Sequence, residues 1–158
     1  MESDRALREH LLYLLNGGGA HLNFEAAVKG IPAGLRGERP KGSPYSLWEL
    51  LEHMRIAQWD ILRFSIDSQH VSPEFPSGYW PAKPAPPNHR AWTRSIRAFK
   101  ADLETMCKLV SDESTDLSAR IPHGDGQTIL REALLVADHN AYHLGQIVLA
   151  RRSLRAWA

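Results

Sequence analysis

An all-α four-helix bundle is the fold class this sequence predicts, and three observations carry it. Four stretches repeat apolar residues every three or four positions, and no stretch alternates them as a strand would. A long proline-rich connector separates the second long helix from the third.

The first helix is expected over residues 3–16, where Leu7, Leu11, Leu14 and Leu15 share one face. Asn16 and the glycines at 17, 18 and 19 end it, since glycine costs about 1 kcal/mol in a helix interior. A short helical stretch then spans about Ala20 to Lys29 and stops at Gly30, Ile31 and Pro32. Pro44 and Ser46 introduce the second long helix, about 46–67, with a seam of Leu47, Leu50, Leu51, Met54, Gln58, Ile61 and Ser65. From Ser68 to Pro87 the chain holds six of its ten prolines, which favours extended backbone over helix. The third long helix begins near Asn88 or His89 and carries Trp92, Ile96, Phe99, Leu103, Met106 and Val110 to about residue 110. Asp125 or Thr128 caps the last, about 128–152, whose stripe is Ile129, Leu130, Ala133, Ala137, Leu144 and Val148.

The connector bears on topology. About 19 residues at roughly 3.1 Å each reach roughly 50 Å or more, whereas a helix of about 22 residues is only about 33 Å long. The chain can therefore return along the whole bundle, so that the second and third long helices run the same way and the order is up-down-down-up.

The chain has 158 residues, which predicts a single domain over 1–158 with a core of its own. Nineteen basic and eighteen acidic side chains leave a net charge of +1, too little to steer a polyanion, so no nucleic-acid partner is expected. A lone cysteine, Cys107, excludes an intrachain disulfide framework and reads as a small buried hydrophobe rather than a nucleophile. No apolar run is long enough to cross a bilayer, so no membrane partner is expected. The charged stretch from Met1 to Arg8 lacks the apolar core of a secretion signal, and the expected location is cytoplasmic.

Eight histidines draw the search for chemistry to those that share a helical face. His139 and His143 stand four apart on the last helix, so their rings stack on one side about 6 Å apart along the axis. Both border its apolar stripe, and His53 borders that of the second long helix. The axial mismatch between His53 and the midpoint of the pair is about 6 Å if the two helices oppose and about 9 Å if they run together. Three histidines on two helix shoulders thus converge on one groove and make a candidate metal site. Three neutral imidazoles leave one or more coordination positions open, the arrangement of a catalytic centre, and a bound cation there activates water or a thiol. Imidazole ligation also predicts that binding weakens as pH falls toward about 6 and below.

The remaining polar residues carry less. Glu49, Glu132 and Gln146 lie on the same columns and offer outer hydrogen bonds, with plain surface as their simplest assignment. His21 and Glu25 also stand four apart, but the glycine-broken segment gives them no second anchor, so they are left outside the site. His10, His70, His89 and His123 fall at surface or loop positions. Arg151, Arg152 and Arg155 complement the negative end of the last helix.

The run from Ser46 through Leu47, Trp48, Glu49, Leu50, Leu51 and Glu52 to His53, the proline-rich crossover, and the run from His139 through Tyr142 and His143 to Gln146 together resemble the DinB-like (DinB/YfiT) superfamily of metal-dependent enzymes. The resemblance covers nearly the whole chain. It implies a metal triad of His53, His139 and His143, a crossed four-helix bundle, a homodimer, and zinc or nickel as the divalent ion. Similar proteins include thiol-dependent enzymes, among them bacillithiol transferases and the mycothiol-dependent maleylpyruvate isomerase. A thiol-dependent transferase or a hydrolase is thus implied, with a small-molecule substrate and a low-molecular-weight thiol as cosubstrate. Nothing in the chain resembles a polymerase or a DNA-binding motif.

The competing reading is a non-catalytic dimeric helical module, a stress or ligand-binding protein whose histidines finish the edge of the bundle. Trp48, Ile56, Trp59 and Ile66, off the main seam of the second long helix, would then supply an apolar dimer surface.

Overall fold

The computed structural model describes residues 2–157; Met1 and Ala158, the ends of the domain expected over 1–158, lie outside the described residues. The elements are α1 (Glu2–Leu15), the short α2 (Phe24–Val28), α3 (Leu47–Ile66), α4 (His89–Ser111) and α5 (Ile129–Ser153), with single 3-10 turns at Ala33–Leu35 and Ser77–Tyr79. Among the described residues there is no strand, only an isolated bridge between Arg120 and Thr128.

Side chains set the helix starts. Asn23 accepts from the Ala26 amide at 3.0 Å, and Asn88 accepts from that of Ala91 at 2.9 Å. Ser46 and Glu49 form a reciprocal capping box at the start of α3. For α5, the cap is Thr128 rather than Asp125: its hydroxyl accepts from the Arg131 amide at 3.1 Å. Gly17 ends α1 with φ of 96°, a conformation that disfavours any side chain. The stretch expected over 20–29 is helical only from Phe24, because its cap is Asn23 and the residues before it still belong to the glycine turn.

The buried residues form two clusters. One gathers around Leu51, Met54, Trp92, Phe99 and Ile147, the other around Leu11, Leu62, Met106, Val110 and Val136. Between them in the order of α3 and α5 lies a polar bridge. Gln58 donates to the Phe99 carbonyl at 2.7 Å and accepts from the Asn140 amide at 2.9 Å, tying α3 to both α4 and α5. Asn140 Oδ1 is buried and has no hydrogen-bond partner among the described residues.

Further contacts set the helices against one another. Glu52 of α3 accepts from Ser95 of α4, and His123, just before α5, donates to the Phe64 carbonyl near the end of α3. The Asn16 amide lies 4.0 Å from the Cys107 sulfur of α4.

The expected faces need three corrections. Leu7 and Leu14 are exposed, since α1 is docked by a narrower stripe of Arg8, Leu11 and Leu15. The Arg8 guanidinium donates to the carbonyls of Val110, Asp112 and Thr115 and so holds α1 on the end of α4. Trp48 is buried against Trp92 and is not available to a dimer surface. Arg151, only 2% exposed, does more than complement a helix end: it donates to the carbonyls of Ala26, Ala27 and Ala156. His70 lies in the loop after α3, as expected, with its ring packed against Asp60 at 2.7 Å.

Candidate metal centre

α3 presents His53 one helical turn beyond Glu49, and α5 presents His139 and His143 from successive turns. The buried face of α5 runs through Ile129, Ala133, Val136, Asn140, His143 and Ile147, so His143 sits within the stripe and His139 at its edge. His143 is therefore turned further inward than the shoulder position expected of it, whereas His139 keeps that position.

The three rings meet. His53 Nε2 lies 3.1 Å from His143 Nε2 and 3.1 Å from His139 Nε2. One nitrogen from each ring falls within 4.8 Å of the others, in a cluster that could hold a metal ion. His53 and His139 are half-buried and His143 is buried.

Hydrogen bonding at the far side of two rings decides what faces the cluster. His53 Nδ1 is 3.0 Å from the Tyr79 carbonyl, which can only accept, so this nitrogen carries the proton. His143 Nδ1 stands 2.6 Å from Gln146 Oε1 and donates to it. In a neutral imidazole that leaves each Nε2 with a bare lone pair. Burial lowers the pKa of His53, against the opposing pull of the Tyr79 carbonyl. Burial first, and then the neighbouring rings, pushes His139 down to about 3. Burial likewise pushes His143 down to about 4, with Gln146 opposing it. All three rings are therefore neutral near pH 7.

Bare lone pairs 3.1 Å apart repel unless a cation lies between them. Two imidazole nitrogens bound at about 2.05 Å and subtending a tetrahedral angle would stand about 3.3 Å apart. The separation found and the neutral nitrogen donor set both fit a divalent transition ion.

Aromatic groups wall one side. Trp80 stacks on the His53 ring at 4.0 Å with 3° between planes, and Tyr45 stacks on Trp80 at 4.1 Å. Tyr79 adds its carbonyl to His53 and its hydroxyl to Asp60 Oδ2 at 2.6 Å. Sequence reasoning missed Tyr45, Tyr79 and Trp80; for the last two the available signal was a pair of aromatics inside a proline-rich stretch.

Of the three outer candidates, only Gln146 reaches a histidine. Glu49 and Glu132 are buried rather than surface residues, and both are engaged elsewhere. Glu49 binds Arg39 and the Ser46 amide, and the Arg39 guanidinium holds its carboxyl below the usual range in spite of burial. Glu132 pairs with Arg131 at 2.7 Å. His21 is exposed on its own loop, as expected of a residue outside the site. Cys107 is half-buried, and burial pushes its thiol up, away from nucleophilic use.

Comparison with curated proteins and with solved structures found no match. A family model described as the DinB superfamily matches residues 20–147. That span contains all three histidines and most of the sequence, and the chain belongs to the DinB superfamily.

Proposed function

We propose that this protein is a metal-dependent enzyme in which His53, His139 and His143 hold one divalent ion, zinc or nickel. The observation that carries this reading is the convergence of three neutral imidazoles, two of them with Nδ1–H committed to Tyr79 and Gln146 and Nε2 aimed at the cluster. Membership of the DinB superfamily supports it. A divalent ion so held supplies the Lewis acidity that makes a thiol or a water molecule nucleophilic near neutral pH. The protein's own part is to keep the rings neutral by burial, fix their tautomers, and cover one side of the cluster with Trp80.

A thiol-dependent transfer is the reaction class we put forward, with a low-molecular-weight thiol as cosubstrate, in a cytoplasmic homodimer. No described helix is long and apolar enough to cross a membrane. Tyr142 and Leu149, exposed on α5, supply apolar surface for the dimer. The up-down-down-up order with a proline-rich crossover belongs to the same reading. Contacts between α3 and α4 ascend together, from Glu52 with Ser95 to Gln58 with Phe99. Those between α3 and α5 descend, from His53 with His143 to Gln58 with Asn140. Between α1 and α4 they descend as well, from Arg8 with Val110 to Asn16 with Cys107.

Metal analysis of protein purified without an affinity tag tests the site, and a stoichiometry near one ion per chain is expected. A value near zero that added zinc or nickel cannot raise would overturn the reading. Activity screening with low-molecular-weight thiols and electrophiles tests the reaction class.

A further inference from the structure

One buried carboxylate has no part in the scheme above. Asp60, on α3, is 8% exposed and has both oxygens engaged by the segment that joins α3 to α4. His70 Nε2 lies 2.7 Å from its Oδ1, and the Tyr79 hydroxyl donates to its Oδ2 at 2.6 Å. Asp60 thus grips that segment at two points nine residues apart in sequence.

Between those points the chain is compact. The Gly78 amide donates to the Glu74 carbonyl at 2.7 Å, and a Cβ on Gly78 would come 2.7 Å from that of Pro73. The turn therefore shifts as a body, with little internal slack, when one of its anchors is lost. What it carries is directed at His53: the Tyr79 carbonyl receives the Nδ1–H at 3.0 Å, and the Trp80 indole lies parallel to the ring at 4.0 Å.

We propose that Asp60 is a positioning residue for His53, acting through His70 and the Tyr79 hydroxyl to hold the Tyr79 carbonyl and the Trp80 ring against the imidazole. The inference rests on the metal-site reading above. A carbonyl that holds the far nitrogen of a ligating imidazole sets its tautomer and aim, and loss of such outer partners typically lowers metal affinity by about 10- to 100-fold. Asp60 acts one step further out, through a hydroxyl and a backbone, so the lower end of that range is expected.

The test uses the full chain, with zinc affinity measured by chelator competition and the visible spectrum of the cobalt(II)-loaded protein as the site-specific readout. Tyr79→Phe removes only the hydroxyl and keeps the carbonyl; Asp60→Ala removes both grips. Each is expected to weaken zinc by about 10-fold and to alter the cobalt spectrum. Asp60→Asn is expected to restore both readouts, because its carbonyl still accepts from Tyr79 and its amide can donate to the other tautomer of His70. Wild-type affinity and spectrum in Tyr79→Phe would overturn the proposal while leaving the metal site standing, and this variant decides the matter even if Asp60→Ala fails to fold. Absence of zinc binding by the wild type would instead overturn the site and the inference with it.

Discussion

His53 Nε2 stands 3.1 Å from His143 Nε2, although the two residues lie ninety positions apart and on different helices. Neither nitrogen carries a proton for the other when both Nδ1 atoms are donating. The contact is therefore one that a cation satisfies.

Replacing His53 with Ala separates a metal site from a structural edge. Zinc affinity is expected to fall by more than about 100-fold, beyond the range of outer-partner losses. The fold should survive, since the half-buried ring is held by one carbonyl and one indole. Metal content and thermal unfolding of the metal-free variant check this. Unfolding without any metal involvement would favour the non-catalytic reading.

The pH dependence follows from the depressed imidazoles. Free imidazole in an unfolded chain titrates near about 6.5, whereas His139 is held at about 3 and His143 at about 4 in the fold. Below about pH 6.5 the unfolded chain takes up protons that the fold refuses, so their stability contribution is full above that pH and lost as pH falls toward the folded values. Urea midpoints of metal-free wild type are expected to drop more steeply between about pH 6.5 and about 4 than those of His139→Gln; equal slopes would refute the assignment. The same shifts bear on the weakening of metal binding expected as pH falls toward about 6 and below. Fewer protons compete for these rings, so zinc affinity should persist to lower pH.

Gln58→Leu should destabilise the protein by about 2 kcal/mol, because it leaves the buried Asn140 amide without an acceptor. Asn140→Leu in the same chain is expected to recover part of the loss, since no polar group is then stranded. Urea unfolding of the two variants checks both statements. A double variant worse than the sum of the singles would count against the bridge.

Ser46→Ala should cost about 1 kcal/mol from the α3 cap alone. The hydroxyl accepts from the Glu49 amide at 3.1 Å and donates to the Pro84 carbonyl at 2.5 Å, so its loss also frees the far end of the connector. Ser46→Thr is expected to retain most of the stability in chemical denaturation.

The helices α3, α4 and α5 were legible because each advertises itself twice, by an apolar repeat and by a cap. Ser46, Asn88 and Thr128 are all short polar side chains placed before such a repeat. The histidine trio was legible for the same reason, since a period of four on one helix and a shoulder position on another are properties of spacing. Burial of charge was not. Arg8 and Arg151 look like surface residues in sequence, and only the long-range carbonyls that receive them make their burial possible. The connector was opaque too: a proline-rich stretch declares that it is extended but not what it lies against, so the roles of Tyr79 and Trp80 depend wholly on tertiary placement.

The two outer partners of the histidines differ in how they can change over generations. Gln146 is an amide side chain, so one codon step can convert it to a carboxylate, sharpening the basicity of His143 and drawing charge into the cluster. The acceptor on His53 belongs to the peptide unit of Tyr79, so a substitution there can shift its placement but leaves it a carbonyl. A substitution at 146 can therefore change the chemistry of the partner facing the α5 ring, whereas one at 79 can change only where the partner of the α3 ring sits.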